Sequence, residues 1–113
     1  MTATMQTYRR ALERFAHFDA HIQLSTILTL ILIHEHQDDD GGFTTGDIQR
    51  RLGISNSAAS RNTYYWGEGV DGTGGPELIT IGWDVKDRRR RTLRLTAKGR
   101  AFIERVMEDL NGS

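Results

Sequence analysis

Arginine is the residue type whose spacing in this 113-residue chain points most directly to chemistry. Arg88, Arg89, Arg90 and Arg91 are consecutive, Lys86, Arg94, Lys98 and Arg100 flank them, and Asp87 is the one acid among residues 86–100, so this stretch carries +7. Guanidinium groups meet phosphates through paired N–H donors and suit a narrow DNA minor groove, where the negative potential is strongest. A second set lies upstream, in the run Ser55, Asn56, Ser57, Ala58, Ala59, Ser60, Arg61. Small polar residues let a helix backbone approach a base edge closely. Asn56 then has the amide that bonds adenine, and Arg61 the fork that bonds guanine. The whole chain has zero net charge, with 15 basic and 15 acidic residues, but the balance is 0 over residues 1–37, −4 over 38–77 and +4 over 78–113. Screening confines charge effects to about 8–10 Å at physiological salt, so the local excess governs contact. Neutrality then limits affinity for arbitrary DNA without excluding DNA as a partner.

Other chemistries have less support. With no cysteine there is no disulfide, cysteine-ligated zinc site or thiol nucleophile. No GxSxG, HExxH or P-loop pattern occurs, so neither an enzyme nor a cofactor is expected. Gly67, Gly69 and Gly72 satisfy GxGxxG, but a helical pattern precedes them and Pro76 with a strand follows, and Glu68 and Asp71 would repel a pyrophosphate. A mobile surface loop is the expectation there. His17 and His21 share a helical face only if the first helix runs through Asp19. His34 and His36, beside Glu35 and Asp38 to Asp40, are weak metal candidates whose spacing matches no established motif, so no metal is expected. The most apolar run, residues 27–33, is far short of the ~20 residues of a membrane span, and the N-terminus has no signal-peptide run. A soluble cytoplasmic protein with no membrane contact is expected.

These residues need elements to hold them, and 113 residues allow one domain, residues 1–113. Met5, Tyr8, Leu12 and Phe15 repeat at helical spacing and predict an amphipathic helix over residues 1–18. The next helix is predicted central and buried, with Leu24, Ile27, Leu28 and Ile31 on one face and Leu30 and Ile33 widening it. After the loop DDDGG, Thr44 or Thr45 can cap a short helix with Ile48 and Leu52 inward; Gly53 ends it, and Ser55 caps a second helix with Ala59, Thr63 and Trp66 inward. Residues 45–66 thus form a helix-turn-helix. Leu78, Ile79, Ile81, Trp83 and Val85 read as a strand and Thr92, Leu93 and Leu95 as its partner, so residues 78–95 form a hairpin with a charged tip. Thr96 can cap a last helix over residues 96–111. The predicted class is α+β, mainly helical with a small β-hairpin.

The run LITIGWDVKDRRRRTLRLTAKGRAFIERV resembles the wing and following helix of the multiple-antibiotic-resistance regulator (MarR) family, through Asp87, Arg88, Arg89, Arg90, Leu95, Thr96, Lys98 and Gly99. TTGDIQRRLGISNSAASR is similar to that family's helix-turn-helix, with Ile48, Leu52, Gly53, Ile54, Ser55, Ser60 and Arg61 at matching places. The resemblance implies a winged helix-turn-helix and a homodimer built from the terminal helices, with Met5, Tyr8, Leu12, Phe15, Val106 and Leu110 as candidate contacts. It also implies that Arg88, Arg89 or Arg90 enters the minor groove and Asp87 braces the wing, while Ser55, Ser57, Ser60 and Arg61 meet the major groove and its phosphates. Asn56 joins the recognition set on its own chemistry, Lys86 and Arg91 join the wing set, and Thr45 and Lys98 are candidate phosphate contacts. The residue 67–76 insert is longer than the family's usual connection and resembles winged-helix proteins of tailed bacteriophages. Gln49 stands where a small apolar residue usually packs the two helices. The expected function is a sequence-specific regulator of transcription that binds double-stranded DNA and represses, with no effector assigned. The alternatives are a protein-interaction module, anchored by Tyr64, Tyr65 and Trp66 beside the glycine-rich segment, and an accessory factor in DNA replication or packaging.

Overall fold

Helix starts follow from hydroxyl placement. The computed structural model describes residues 3–83, 87 and 90–112, and in it Thr4 opens α1 (Met5–Ala16), Thr44 opens α3 (Thr45–Leu52), Ser55 opens α4 (Asn56–Trp66) and Thr96 opens α5 (Ala97–Leu110). Each hydroxyl accepts from the N–H three residues on, satisfying a donor that helix geometry leaves free. The remaining helix, α2 (Leu24–Glu35), has no side-chain cap and is held by its apolar content. The first helix ends at Ala16, short of Phe18.

The hairpin pairs β2 (Ile79–Trp83) with β3 (Arg91–Leu95), with Ile81 opposite Leu93 and Trp83 opposite Arg91. A third strand, β1 (Phe43–Thr44), completes an antiparallel sheet in the order β1-β3-β2. Two residues give no alternation, so β1 was not predicted; it exists because Phe43 is drawn into the core opposite Leu93. Val85, expected in the strand, lies outside the described residues, as do Lys86, Arg88 and Arg89. The α+β class stands, mainly helical with a small sheet.

The core joins Ile27, Leu30 and Ile33 of α2 to Ile48, Ala59, Trp66, Ile79, Leu93, Leu95 and Ile103. The buried face of α2 differs from the predicted one. Thr26 and Thr29 are buried while Leu24 is exposed and Leu28 and Ile31 are half-buried. Hydropathy misses this because both hydroxyls are satisfied inside: Thr26 donates to Asn62 Oδ1 at 2.8 Å and Thr29 to the Ser25 carbonyl at 2.7 Å.

The dimer set divides in the same way. Phe15 is only 2% exposed and stands edge-on to Phe102 and Trp66, at 5.1 and 6.1 Å between ring centres. Val106 is also buried in the chain's own core, and Leu110 packs partly against it. Phe15 and Val106 are therefore core residues here, with little surface left for a second chain. Met5, Tyr8 and Leu12 remain exposed, at 83%, 51% and 51%. The buried stripe of α1 is Thr7, Ala11 and Phe15, and Arg14 ties α1 to Asp109 of α5, which raises the Arg14 pKa.

Gly99 shows why a glycine is required in the Leu-Thr-x-Lys-Gly start of α5. A Cβ there would lie 2.0 Å from the Leu78 carbonyl oxygen, which also accepts the Thr96 N–H at 2.9 Å. The first turn of α5 thus presses directly on the backbone leading into β2.

Candidate nucleic-acid interface

The turn between α3 and α4 is closed by Gly53 in the left-handed conformation, φ 64°. The backbone carbonyl of Gln49, a half-buried residue, accepts the N–H groups of Gly53 and Ile54 and closes the turn. At its far end α4 is fixed to α2 by buried polar groups. Asn62 takes the Thr26 hydroxyl and donates to Ser25 Oγ at 3.3 Å, and the Trp66 indole N–H donates to the Thr26 carbonyl at 2.6 Å. With Ala59, Asn62, Thr63 and Trp66 facing inward, the opposite side of α4 presents Asn56, Ser57 and Arg61 to solvent.

A cleft of about 370 Å³ opens between that surface, the start of α3 and the turn end of β3. Thr44, Thr45, Gly46, Arg50, Asn56, Ser60, Arg90 and Arg91 line it. The structure thus brings together Asn56 and Ser60 of the recognition set with Arg90 and Arg91 of the wing set, from sequence positions some thirty residues apart. The N–H groups of Thr45 and Gly46, at the first positions of α3, have no intrahelical acceptor and carry the positive end of the helix dipole. Three arginines around such a helix start have the donors and charge that a phosphate group would need.

Arg50 was missed from the sequence. Its signal was Asp47 three residues earlier: the two side chains pair on the surface of α3, which points the guanidinium across the helix start. Thr45 is buried where it lines the cleft, and its hydroxyl oxygen finds no hydrogen-bond partner among the described residues. Lys98 lies elsewhere, beside the glycine-rich segment with Tyr65 and Pro76, and is not part of the cleft. Ser57 and Arg61 are exposed on α4 but do not line it.

The arginines described in and after the turn have partners that a count of carboxylates did not anticipate. Arg90 donates to the Gly41 carbonyl at 3.0 Å, and Arg94 to the Gln37 carbonyl at 3.1 Å. Arg91 donates to the Tyr64 hydroxyl at 3.0 Å, with its guanidinium over the Tyr64 and Trp83 rings. Asp87 accepts the Arg90 N–H on its carbonyl at 3.0 Å, which closes the turn. The predicted tip contacts Lys86, Arg88 and Arg89 lie outside the described residues.

The glycine-rich segment carries backbone hydrogen bonds at both of its ends. Gly69 N–H bonds the Tyr64 carbonyl, Gly75 N–H the Glu68 carbonyl, and Glu77 N–H the Gly67 carbonyl, each at 2.8–2.9 Å. Trp66, an expected protein anchor, has no exposed surface. The two weak metal candidates do not converge. His36 stacks on Phe43 at 4.5 Å and pairs with Asp39, whereas His34 lies in a separate groove with Glu104 and Glu108. Among the described residues no group of three or more histidine or acidic side chains is placed to hold a metal, and no helix is long and apolar enough to cross a membrane.

Partial burial pushes the Asp47 carboxyl up, but the Thr44 N–H and hydroxyl and Arg50 outweigh it and hold Asp47 below its ordinary value. A carboxyl lowered by folding contributes stability that is complete above its unfolded value, about 4, and is lost as pH falls through the folded one. Asp47→Asn is therefore expected to lower the urea midpoint at about pH 6 and to have a smaller effect near pH 3. An equal loss at both pH values would show that charge on Asp47 is irrelevant to the cap.

Comparison with solved structures places this geometry in a known fold. A Staphylococcus aureus MepR variant bound to an oligodeoxyribonucleotide matches with a TM-score of 0.75 at 22% identity, over 96% of this chain and 70% of that one. A second S. aureus MepR–DNA complex matches at 0.68 with 25% identity, again over 96% of this chain and 70% of MepR. YusO from Bacillus subtilis matches at 0.68 with 19% identity, over 96% of this chain and 67% of its own. MepR is a transcription regulator of the S. aureus multidrug efflux pump MepA. No protein-family model and no curated protein matches the chain. The fold is the MarR-like winged helix-turn-helix that the wing and helix-turn-helix residues implied.

Proposed function

We propose that the chain is a sequence-specific regulator of transcription that binds double-stranded DNA as a homodimer and acts as a repressor. The observation that carries this reading is the cleft at which the start of α3, the outer face of α4 and Arg91 of β3 converge with three arginines and no acidic side chain in its lining. That MepR structures similar in shape include DNA complexes supports it. In this reading α4 enters the major groove, with Asn56, Ser57, Ser60 and Arg61 toward base edges and Ser55 at its start. The cleft holds the adjacent phosphates and sets the register, and residues 86–91 of the wing reach the flanking minor groove. The exposed Met5, Tyr8 and Leu12 of α1 supply the face for a second copy, with Met107 of α5 also exposed. Two such copies would read half-sites about 10 base pairs apart and block access to the DNA between them.

Selection from a random duplex pool tests this at a stated salt concentration. Enrichment of one near-palindrome with that spacing is expected. A pool that stays unenriched would rule out sequence-specific regulation and leave a non-specific or partner-binding role.

A further inference from the structure

We propose that Tyr64 and Trp83 are positioning residues that hold Arg91 rigid as a contact to the DNA backbone at the seam between recognition helix and wing; this rests on the DNA-binding reading above. Arg91 begins β3 and stands directly opposite Trp83 in the hairpin, so the strand register itself delivers the indole to the guanidinium, 5.1 Å from its ring centre. Tyr64 comes from a different element. It follows Asn56 and Ser60 at intervals of four on α4, on the side that faces the hairpin, with its ring 5.7 Å from the guanidinium and its hydroxyl accepting from Nη1.

Three observations support this role for Arg91. Arg90 and Arg94 are directed to backbone carbonyls of the loop before β1, whereas Arg91 is held by two aromatic side chains from two elements. Arg91 lines the cleft with Arg50, Asn56 and Ser60, and no carboxylate among the described residues pairs with it. Trp83 is 58% exposed, although a large apolar ring at the surface needs a reason in a soluble domain. Ring faces attract a guanidinium without satisfying its N–H groups, so a stacked arginine keeps donors for a phosphate. An arginine free in solution surrenders most of its rotamer freedom on contact; one already clamped surrenders little. The clamp also spans α4 and the hairpin, so a backbone contact at Arg91 fixes the wing relative to the recognition helix.

The test is anisotropy of a labelled random-sequence duplex across a salt series, for wild type, Trp83→Ala, Trp83→Phe, Tyr64→Phe, Arg91→Ala and the double variant Trp83→Ala/Arg91→Ala. Trp83→Ala removes no charge, yet it is expected to weaken binding about fivefold to tenfold and to flatten the salt slope by about one, as Arg91→Ala does. Trp83→Phe should retain affinity and slope, Tyr64→Phe should show a smaller loss, and Trp83→Ala should add little once Arg91 is alanine. Tyr64→Phe, which removes only the hydroxyl, keeps the test informative should Trp83→Ala disturb the hairpin. Weakened binding with an unchanged slope would mean that Trp83 touches DNA itself; that result, additive losses, or wild-type binding in Trp83→Ala and Tyr64→Phe alike would overturn the proposal alone. A wild type without salt-dependent duplex binding would overturn the DNA-binding reading together with it.

Discussion

Arg50→Ala/Arg91→Ala is expected to weaken binding to any duplex about a hundredfold at about 0.15 M salt and to flatten the salt slope by about two. Hydrogen bonds to charged groups contribute about 1.5–3 kcal/mol each, so losing two such contacts corresponds to roughly two decades in Kd. The pair lines one cleft from two elements, Arg50 on α3 and Arg91 on β3, together with the start of α3. Losing Arg50 has a further consequence, since the Asp47 charge then keeps only its Thr44 hydrogen bonds and is no longer offset by a cation. Because these contacts are to the backbone, the loss should be the same on all sequences, unlike a change at Arg61. Titration of a random duplex by anisotropy gives both quantities; a loss below threefold would mean that the cleft is not where the phosphates sit.

Trp66→Ala is expected to cost about 3–5 kcal/mol of folding stability, a large share of the 5–15 kcal/mol typical of a domain. Trp66 has no exposed surface, and Phe15, Phe18 and Tyr65 all meet it edge-on, with ring centres 5.0–6.1 Å away. It therefore binds the end of α4 to the end of α1 and the segment that follows it. Its indole N–H is also the donor for the Thr26 carbonyl inside α2. Removing the ring leaves a large cavity and takes one donor from that buried carbonyl, which keeps only its helical hydrogen bond. Trp66→Phe, which fills part of the space and loses only the donor, should fall between wild type and alanine. Urea unfolding followed by circular dichroism measures both, and a loss below 1 kcal/mol for alanine would contradict this account of the core.

Much of this was legible in the sequence because the signals are local. Thr44, Ser55 and Thr96 announce helix starts, Gly53 announces the turn, and Ile79, Ile81, Leu93 and Leu95 announce a hairpin by alternation. What was not legible depends on partners distant in sequence. Thr26 looks solvent-facing until Asn62 is placed beside its hydroxyl, so that part of the inward face of α2 was misassigned. Phe15 looked like an interface residue until Trp66 and Phe102 covered it. β1 is two residues long and owes its existence to β3. At the cleft, the arginine run and the small polar helix were evident, but Arg50 entered only through the packing of α3. The partners of Arg90, Arg91 and Arg94 are carbonyls and rings, which no count of charges reveals.

The central claim is that the basic cleft between α3, α4 and the hairpin binds duplex phosphates. The most direct measurement is the affinity of the intact chain for a random duplex between about 0.05 and 0.2 M salt. The account predicts a straight line of log affinity against log salt with a negative slope, reduced by about two in Arg50→Ala/Arg91→Ala. Binding indifferent to salt, or a slope that the double variant leaves unchanged, would contradict it.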